Sequence, residues 1–293
     1  MWLAIAKSWA MGPICEACPC AGCQTLESAS PFDCFSIVAL QSFKFLIVTS
    51  LLLASSTLCS ADPVDPFAAA AHVSYWEADH RFKKEPAVAD AAWQFARACF
   101  DVAEYATNSS ERALIAEQGI EACRKVLRED PKSAPAHYYL GMNLGQLART
   151  RGIGALKLVD QMEYEFKIVV MLDEKYDFAG SDRNLGLLYR DAPSFGSIGS
   201  RSRAHKHLDR CVELSPDYPE NRLTLIESLL KWGDRVGAKR ELNALEGLWP
   251  NARKTLNGEK WASSWVDWKK RLMQVTSKIE DAPKAIPSPR AKD

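Results

Sequence analysis

The sequence predicts an all-α chain in which helical hairpins stack into an open-ended solenoid, closed by a C-terminal capping helix. Three observations carry this expectation. From Val88 onward the apolar residues recur at three and four, the helical period, and no stretch alternates at two for long enough to make a strand. "LGMNLGQLART" and "LGLLYRDAP" begin at Leu140 and Leu185, 45 residues apart, and each places a bulky residue, Leu144 or Tyr189, three positions after its glycine. "LREDP", "LDEKY" and "LSPDY" begin at Leu127, Leu172 and Leu214 and read as successive helix ends, with Pro131, Glu174 and Pro216 separated by 43 and 42 residues. A hairpin alone cannot hide its apolar face, so such units stack.

Residues 1–61 read as a leader. Residues 45–61, "FLIVTSLLLASSTLCSA", follow Lys44 and end in small residues, the pattern of a secretory signal cleaved near Ala61. Such signals start shortly before their apolar core, so residues 1–37 are expected to be absent from the mature protein, either untranslated or cleaved. Cys15, Cys18, Cys20 and Cys23 in "CEACPCAGC" lack the intervening loop that paired zinc-ligand motifs carry, and no metal is expected. Leu58 is bulky where a lipoprotein signal places a small residue, which argues against lipid on Cys59. A membrane link would therefore require an uncleaved signal or that lipid. Cys99, Cys123 and Cys211 fall on apolar helix faces and read as buried thiols; Cys99 with Cys123 is the only pairing that adjacent helices offer.

Residues 62–108 form an N-terminal helical segment in which "SYWEADHRF" is a candidate helix over the first unit. Residues 109–250 hold the repeats. The clearest runs from Pro219 to Pro250: Pro219 and Glu220 suit a first helical turn, Leu225 and Leu229 share a face, Gly233 ends the helix, and Asp234 caps the next. Ala238 is a small contact point, and Leu242 with Leu245 closes the hairpin. This order of residues resembles the tetratricopeptide repeat, whose α-α superhelix brings paired helices together at small residues. The resemblance extends back through Ala204, Leu185-Gly186 and "HYYLGMNL" to Gly119, Cys123 and Val126. The two middle units exceed that family's period by about eight residues, with the excess near residues 151–155 and 191–200. Gly141 and Gly186 are read as equivalent corners where a missing side chain lets neighbours nest. In residues 251–280, Asn257 is expected to cap a helix whose Trp261, Trp265, Trp268, Leu272, Val275 and Ile279 cover the last repeat. Residues 281–293 are expected to be a disordered tail.

Of the 293 residues 47% are hydrophobic and 25% charged, with zero formal net charge, which supports a sizeable core and disfavours nucleic acid as a partner. His72, His80, His137, His205 and His207 are scattered; His205 and His207 lie about 200° apart on a helix and cannot share a ligand-facing side. His137 reads as a satisfied interface residue. Gly-x-Ser-x-Gly is absent, and "GSIGS" at 196–200 lacks a nucleotide-loop Gly-Lys-Ser/Thr. That loop is either a hinge or, with Arg201 and Arg203, an anion-binding lip. No enzyme activity and no cofactor are expected.

Stacked first helices would bring Tyr138, Met142, Arg183, Leu187, Arg190, Glu227 and Lys231 to a common groove, with Arg201 at its lip. The exported hairpins, the insertions, the Leu-Gly elements and "DAP…GS" together resemble the T-component (TatT) family of tripartite periplasmic TRAP transporters. That resemblance implies a periplasmic or secreted, non-enzymatic scaffold whose partner is a protein or peptide such as the transporter's substrate-binding component, with a small organic ligand or homo-oligomer also admitted. The alternative is a carrier enclosing an anionic or hydrophobic solute between the repeats and the 191–200 loop.

Overall fold

The computed structural model describes residues 65–281. The expected signal segment, the four-cysteine tract and the C-terminal tail lie outside the described residues. Among those described, ten α-helices follow one another: α1 (Pro66–Lys84), α2 (Ala89–Ala103), α3 (Ser109–Glu129), α4 (Ala134–Ala148), α5 (Ala155–Leu172), α6 (Tyr176–Asp191), α7 (Arg201–Leu214), α8 (Pro219–Lys231), α9 (Arg235–Thr255) and α10 (Ala262–Glu280). Helices α2 with α3, α4 with α5, α6 with α7, and α8 with α9 pair as antiparallel hairpins, and each hairpin stacks on the next. The first helices α2, α4, α6, α8 and α10 also touch in succession, so one side of the stack is built from first helices alone.

Local signals place the helix starts. Asn108 accepts from the Glu111 amide at 2.9 Å while the Glu111 carboxylate accepts from the Thr107 amide at 2.8 Å, a reciprocal cap on α3. Asp234 accepts from the Gly237 amide at 2.8 Å, as its position predicts, and Gly233 turns the chain out of α8 with φ of +80°. Pro219 occupies the first turn of α8, where its missing N–H leaves no bond broken.

The recurring glycines act at the hairpin seam. A Cβ on Gly141 would lie 2.7 Å from the Phe166 ring of α5, and one on Gly186 would lie 2.6 Å from the Leu208 side chain of α7. Both are contacts between the two helices of one hairpin, at equivalent places in successive units. Ala204 and Ala238 are fully buried at the matching seams on the second helices, and Leu144, Leu185, Tyr189, Leu242 and Leu245 fill the core around them.

The two ends differ from expectation in detail. The stack begins earlier than the repeat marks, since α2 is the first helix of a complete hairpin and α1 lays Tyr75, Ala78 and Phe82 against it. Helix α9 does not stop at Pro250 but runs through it to Thr255. The carbonyl left without a donor belongs to exposed Glu246, where water can supply the bond, and the continued helix buries Ala252. Asn257 does not cap the last helix; its amide donates to the Lys254 carbonyl at 2.5 Å, and a 3-10 turn, Glu259–Trp261, leads into α10. Trp265, Trp268 and Val275 are buried there against the last hairpin, which makes α10 a cover for its apolar face. Cys99, Cys123 and Cys211 are free and buried.

Gly141→Leu should destabilise by about 1 to 3 kcal/mol through overpacking against Phe166, and Trp268→Ala by about 3 to 5 kcal/mol through lost burial. Denaturant melts check both, and a neutral result at either position contradicts the packing described.

Candidate functional site

The first-helix side carries a chain of polar contacts that runs from hairpin to hairpin. Between α2 and α4, Arg149 places Nη1 2.8 Å from both oxygens of Glu104, and Asn143 donates to the Ala96 carbonyl at 2.9 Å. Between α4 and α6, the Tyr138 hydroxyl donates to Asp177 at 2.5 Å and the Asn184 amide reaches the Met142 sulfur at 3.1 Å. Between α6 and α8, Arg183 donates to Asn221 Oδ1 at 2.8 Å, Arg190 donates to Ser228 Oγ at 2.9 Å, and Lys231 pairs with Asp191. Between α8 and α10, Arg271 holds Glu220 through Nη1 at 2.7 Å and Glu227 through Nε at 2.8 Å, while Trp268 Nε1 donates to Glu220 at 2.7 Å.

The start of α6 is conformationally unusual. Asp177, Phe178 and Ala179 take φ of +50°, +57° and +59°, a left-handed turn that costs L-residues roughly 1 to 2 kcal/mol each. Its neighbours hold it in place. Tyr138 binds Asp177, Asn221 Nδ2 donates to the Phe178 carbonyl at 2.9 Å, and the Phe178 ring stacks on Tyr218 with centroids 4.2 Å apart. Gly180 follows the turn and lets Tyr138 approach, since a Cβ there would meet the Tyr138 hydroxyl oxygen at 2.5 Å.

This network revises the expected groove. Tyr138 and Arg183 are 1% and 7% exposed, and their polar atoms are bound inside the stack, so neither presents a free group to solvent. Arg183 also lies 5.5 Å from the Tyr218 ring centroid. Arg190 grips Asp191 at 2.6 Å, and Glu227 is held by Arg271. Met142 and Leu187 are partly exposed on the first-helix side, Lys231 is exposed at the end of α8, and Arg97 and Asp101 of α2 extend the row. Arg201 is exposed on α7, a second helix, away from these residues in the chain of contacts, with its guanidinium 5.4 Å from the Trp232 ring. The 192–200 loop is bound back on itself: the Gly199 amide donates to the Pro193 carbonyl, the Ser200 amide to Tyr189, and Arg203 to Ile198.

Asp177, Glu220, Asn221 and Arg271 were not singled out by spacing. Arg271 left one signal, a cation inside the apolar stripe of α10, which requires a buried acidic partner. Glu220, read as a charge for the helix end, is that partner. Burial alone would raise its carboxyl, but the Arg271 and Arg183 guanidiniums and the bonds from Arg271 and Trp268 hold it below the usual carboxylate range. His137 behaves as an interface residue, with Nδ1 2.5 Å from Glu165 and Nε2 3.0 Å from the Pro131 carbonyl. Among the described residues no three His, Cys, Asp or Glu side chains converge to hold a metal ion, and no helix is long and apolar enough to cross a membrane.

Glu220→Gln takes one of its carboxylate partners from the buried Arg271, which keeps Glu227, so the substitution should cost about 1.5 to 3 kcal/mol at pH 7. The folded pKa is depressed, so this stabilisation is present above the ordinary Glu value and fades as pH falls through the lowered one. The gap between wild type and variant should therefore narrow below about pH 4. Urea melts across pH check this; a gap that does not depend on pH contradicts it.

Comparison with known proteins adds a partial family match. A model of the regulator of microtubule dynamics proteins 1–3 matches residues 72–167, from α1 into α5. No curated protein matches the chain. Among solved structures, the crystal structure of MamA protein is similar with a TM-score of 0.37 and 15% identity, covering 64% of this chain and 98% of that one.

Proposed function

We propose that the chain is a non-enzymatic scaffold that binds a protein or peptide along its first-helix side. The observation that carries this reading is the unbroken succession of α2, α4, α6, α8 and α10, each joined to the next by polar contacts. Those contacts fix the spacing of the exposed Arg97 and the partly exposed Asp101, Met142 and Leu187 before any partner arrives, which lowers the ordering cost of binding. Mixed apolar and charged groups at fixed spacing suit a polypeptide better than a small solute. The solute-carrier alternative is disfavoured by the packing of Arg183 into the stack interior and by the open form of the cleft at Arg201.

The narrower form is an exported accessory component of a tripartite transporter, which rests on the Leu-Gly and "DAP…GS" resemblance and on the signal pattern of residues 45–61. The match over residues 72–167 favours a second reading, a regulator of microtubule dynamics. The two place the chain in different compartments. A mature chain beginning near Asp62 supports export; co-pelleting of the purified chain with microtubules supports the second reading.

A photo-crosslinking residue at Met142 or Leu187 should capture a polypeptide in the cell of origin, while the same residue at Tyr164, on the outer face of α5, should not. Mass spectrometry of the adducts reads the outcome. Equal capture at Tyr164, or adducts of small molecules alone, contradicts the proposed surface.

A further inference from the structure

Charges on the first-helix side are largely spent on neighbouring helices; at the start of α7 Arg203 pairs with Glu163, whereas Arg201 has no carboxylate partner among the described residues. Arg201 and His205 both lie on the Trp232 ring, His205 stacked at 5.6 Å and 16°. Around them opens a cleft of about 710 Å³ lined by Arg201, Ser202, His205, Lys206 and Asp209. Three residues beyond Trp232, Arg235 begins a second open cleft of about 740 Å³, where Arg235, Lys239 and Arg240 outnumber the one lining carboxylate, Glu280. Arg235 also donates to the Lys278 carbonyl at 3.0 Å, which brings the end of α10 to this same end of the last hairpin.

The acidic groups interspersed here are mostly committed. Asp209 binds His205 at 2.7 Å, Asp234 caps α9, and Glu241 binds Arg222 at 2.7 Å and Arg240 at 3.1 Å. Among the described residues Arg201, Lys206, Arg235 and Lys239 have no carboxylate at ion-pair distance. The chain as a whole is neutral, so this is a local surplus. Apolar surface lies among the cations at Val236, which is 83% exposed.

We propose that this end of the last two hairpins docks a carboxylate-rich polypeptide segment. Its acidic side chains pair with Arg201, Lys206, Arg235 and Lys239, and an apolar side chain rests on Val236. Cations distributed over two helices suit several carboxylates along an extended chain, rather than the convergent donors that one compact anion requires. Apolar contacts between them distinguish a polypeptide from a phosphate polymer, which has none to offer along its backbone. The surface is built from the starts of α7 and α9 together with Trp232 at the end of α8.

The test is a fluorescence-anisotropy titration of the whole chain with a labelled Glu-rich peptide of about ten residues containing one Phe, with inorganic polyphosphate and vesicles of anionic lipid as competitors. The peptide should bind, release as salt rises, and bind about tenfold or more weakly to Arg201→Glu/Lys239→Glu. Arg124→Glu/Lys157→Glu, the same charge change on the outer faces of α3 and α5, should bind as wild type does. Thermal melts establish that both variants are folded. Absence of binding at low salt, equal loss in the two variants, or displacement by polyphosphate or lipid while an excess of unlabelled peptide fails to displace would overturn the proposal.

Discussion

Buried polar contacts between consecutive first helices are the constraint on which the rest of this structure depends. Apolar burial drives hairpins together but is indifferent to small slides of one helix along another. A buried Arg271–Glu220 pair or a Tyr138–Asp177 hydrogen bond is not indifferent, because a slide leaves a charged or polar group buried with its partners out of reach. The polar chain therefore sets register, and the apolar seams supply most of the stabilisation. The left-handed turn at Asp177–Ala179 shows the hierarchy, since local backbone preference yields to a geometry that satisfies Tyr138, Asn221 and Arg183 together.

The parts of the fold that depend on neighbouring residues in sequence were legible. Gly141 and Gly186 recur because each faces a large side chain of its own hairpin partner, Phe166 or Leu208, and Gly233 with Asp234 ends one helix and starts the next by backbone conformation and capping. Parts that depend on distant residues were not. Glu220 looks like an ordinary first-turn acid until Arg271, 51 residues on, is brought to it. Pro250 looks like a stop because its own helix loses a bond, yet the packing of Ala252 outweighs that loss. Little in "YDFAG" announces three left-handed residues, since of Asp177, Phe178 and Ala179 only Asp177 is a residue type that visits that region readily.

The candidate site divides in the same way. Spacing placed Met142, Arg183, Leu187 and Arg190 on first helices, and the structure puts them there. Spacing could not distinguish residues turned between helices from residues turned to solvent, because both recur at the helical period. Arg183 and Tyr138 thus serve the scaffold's internal order, while Arg201, carried by a second helix and resting on Trp232, belongs to a different surface from the groove it was expected to border.

The most direct test of the register claim is a double-mutant cycle on Arg183 and Asn221, the contact between α6 and α8 at 2.8 Å. Measuring unfolding free energies of Arg183→Ala, Asn221→Ala and the double variant isolates their coupling. A polar contact that sets register predicts a coupling of about 1.5 kcal/mol or more, the range for a hydrogen bond to a charged group. A coupling indistinguishable from zero, with both single variants near wild-type stability, would contradict it.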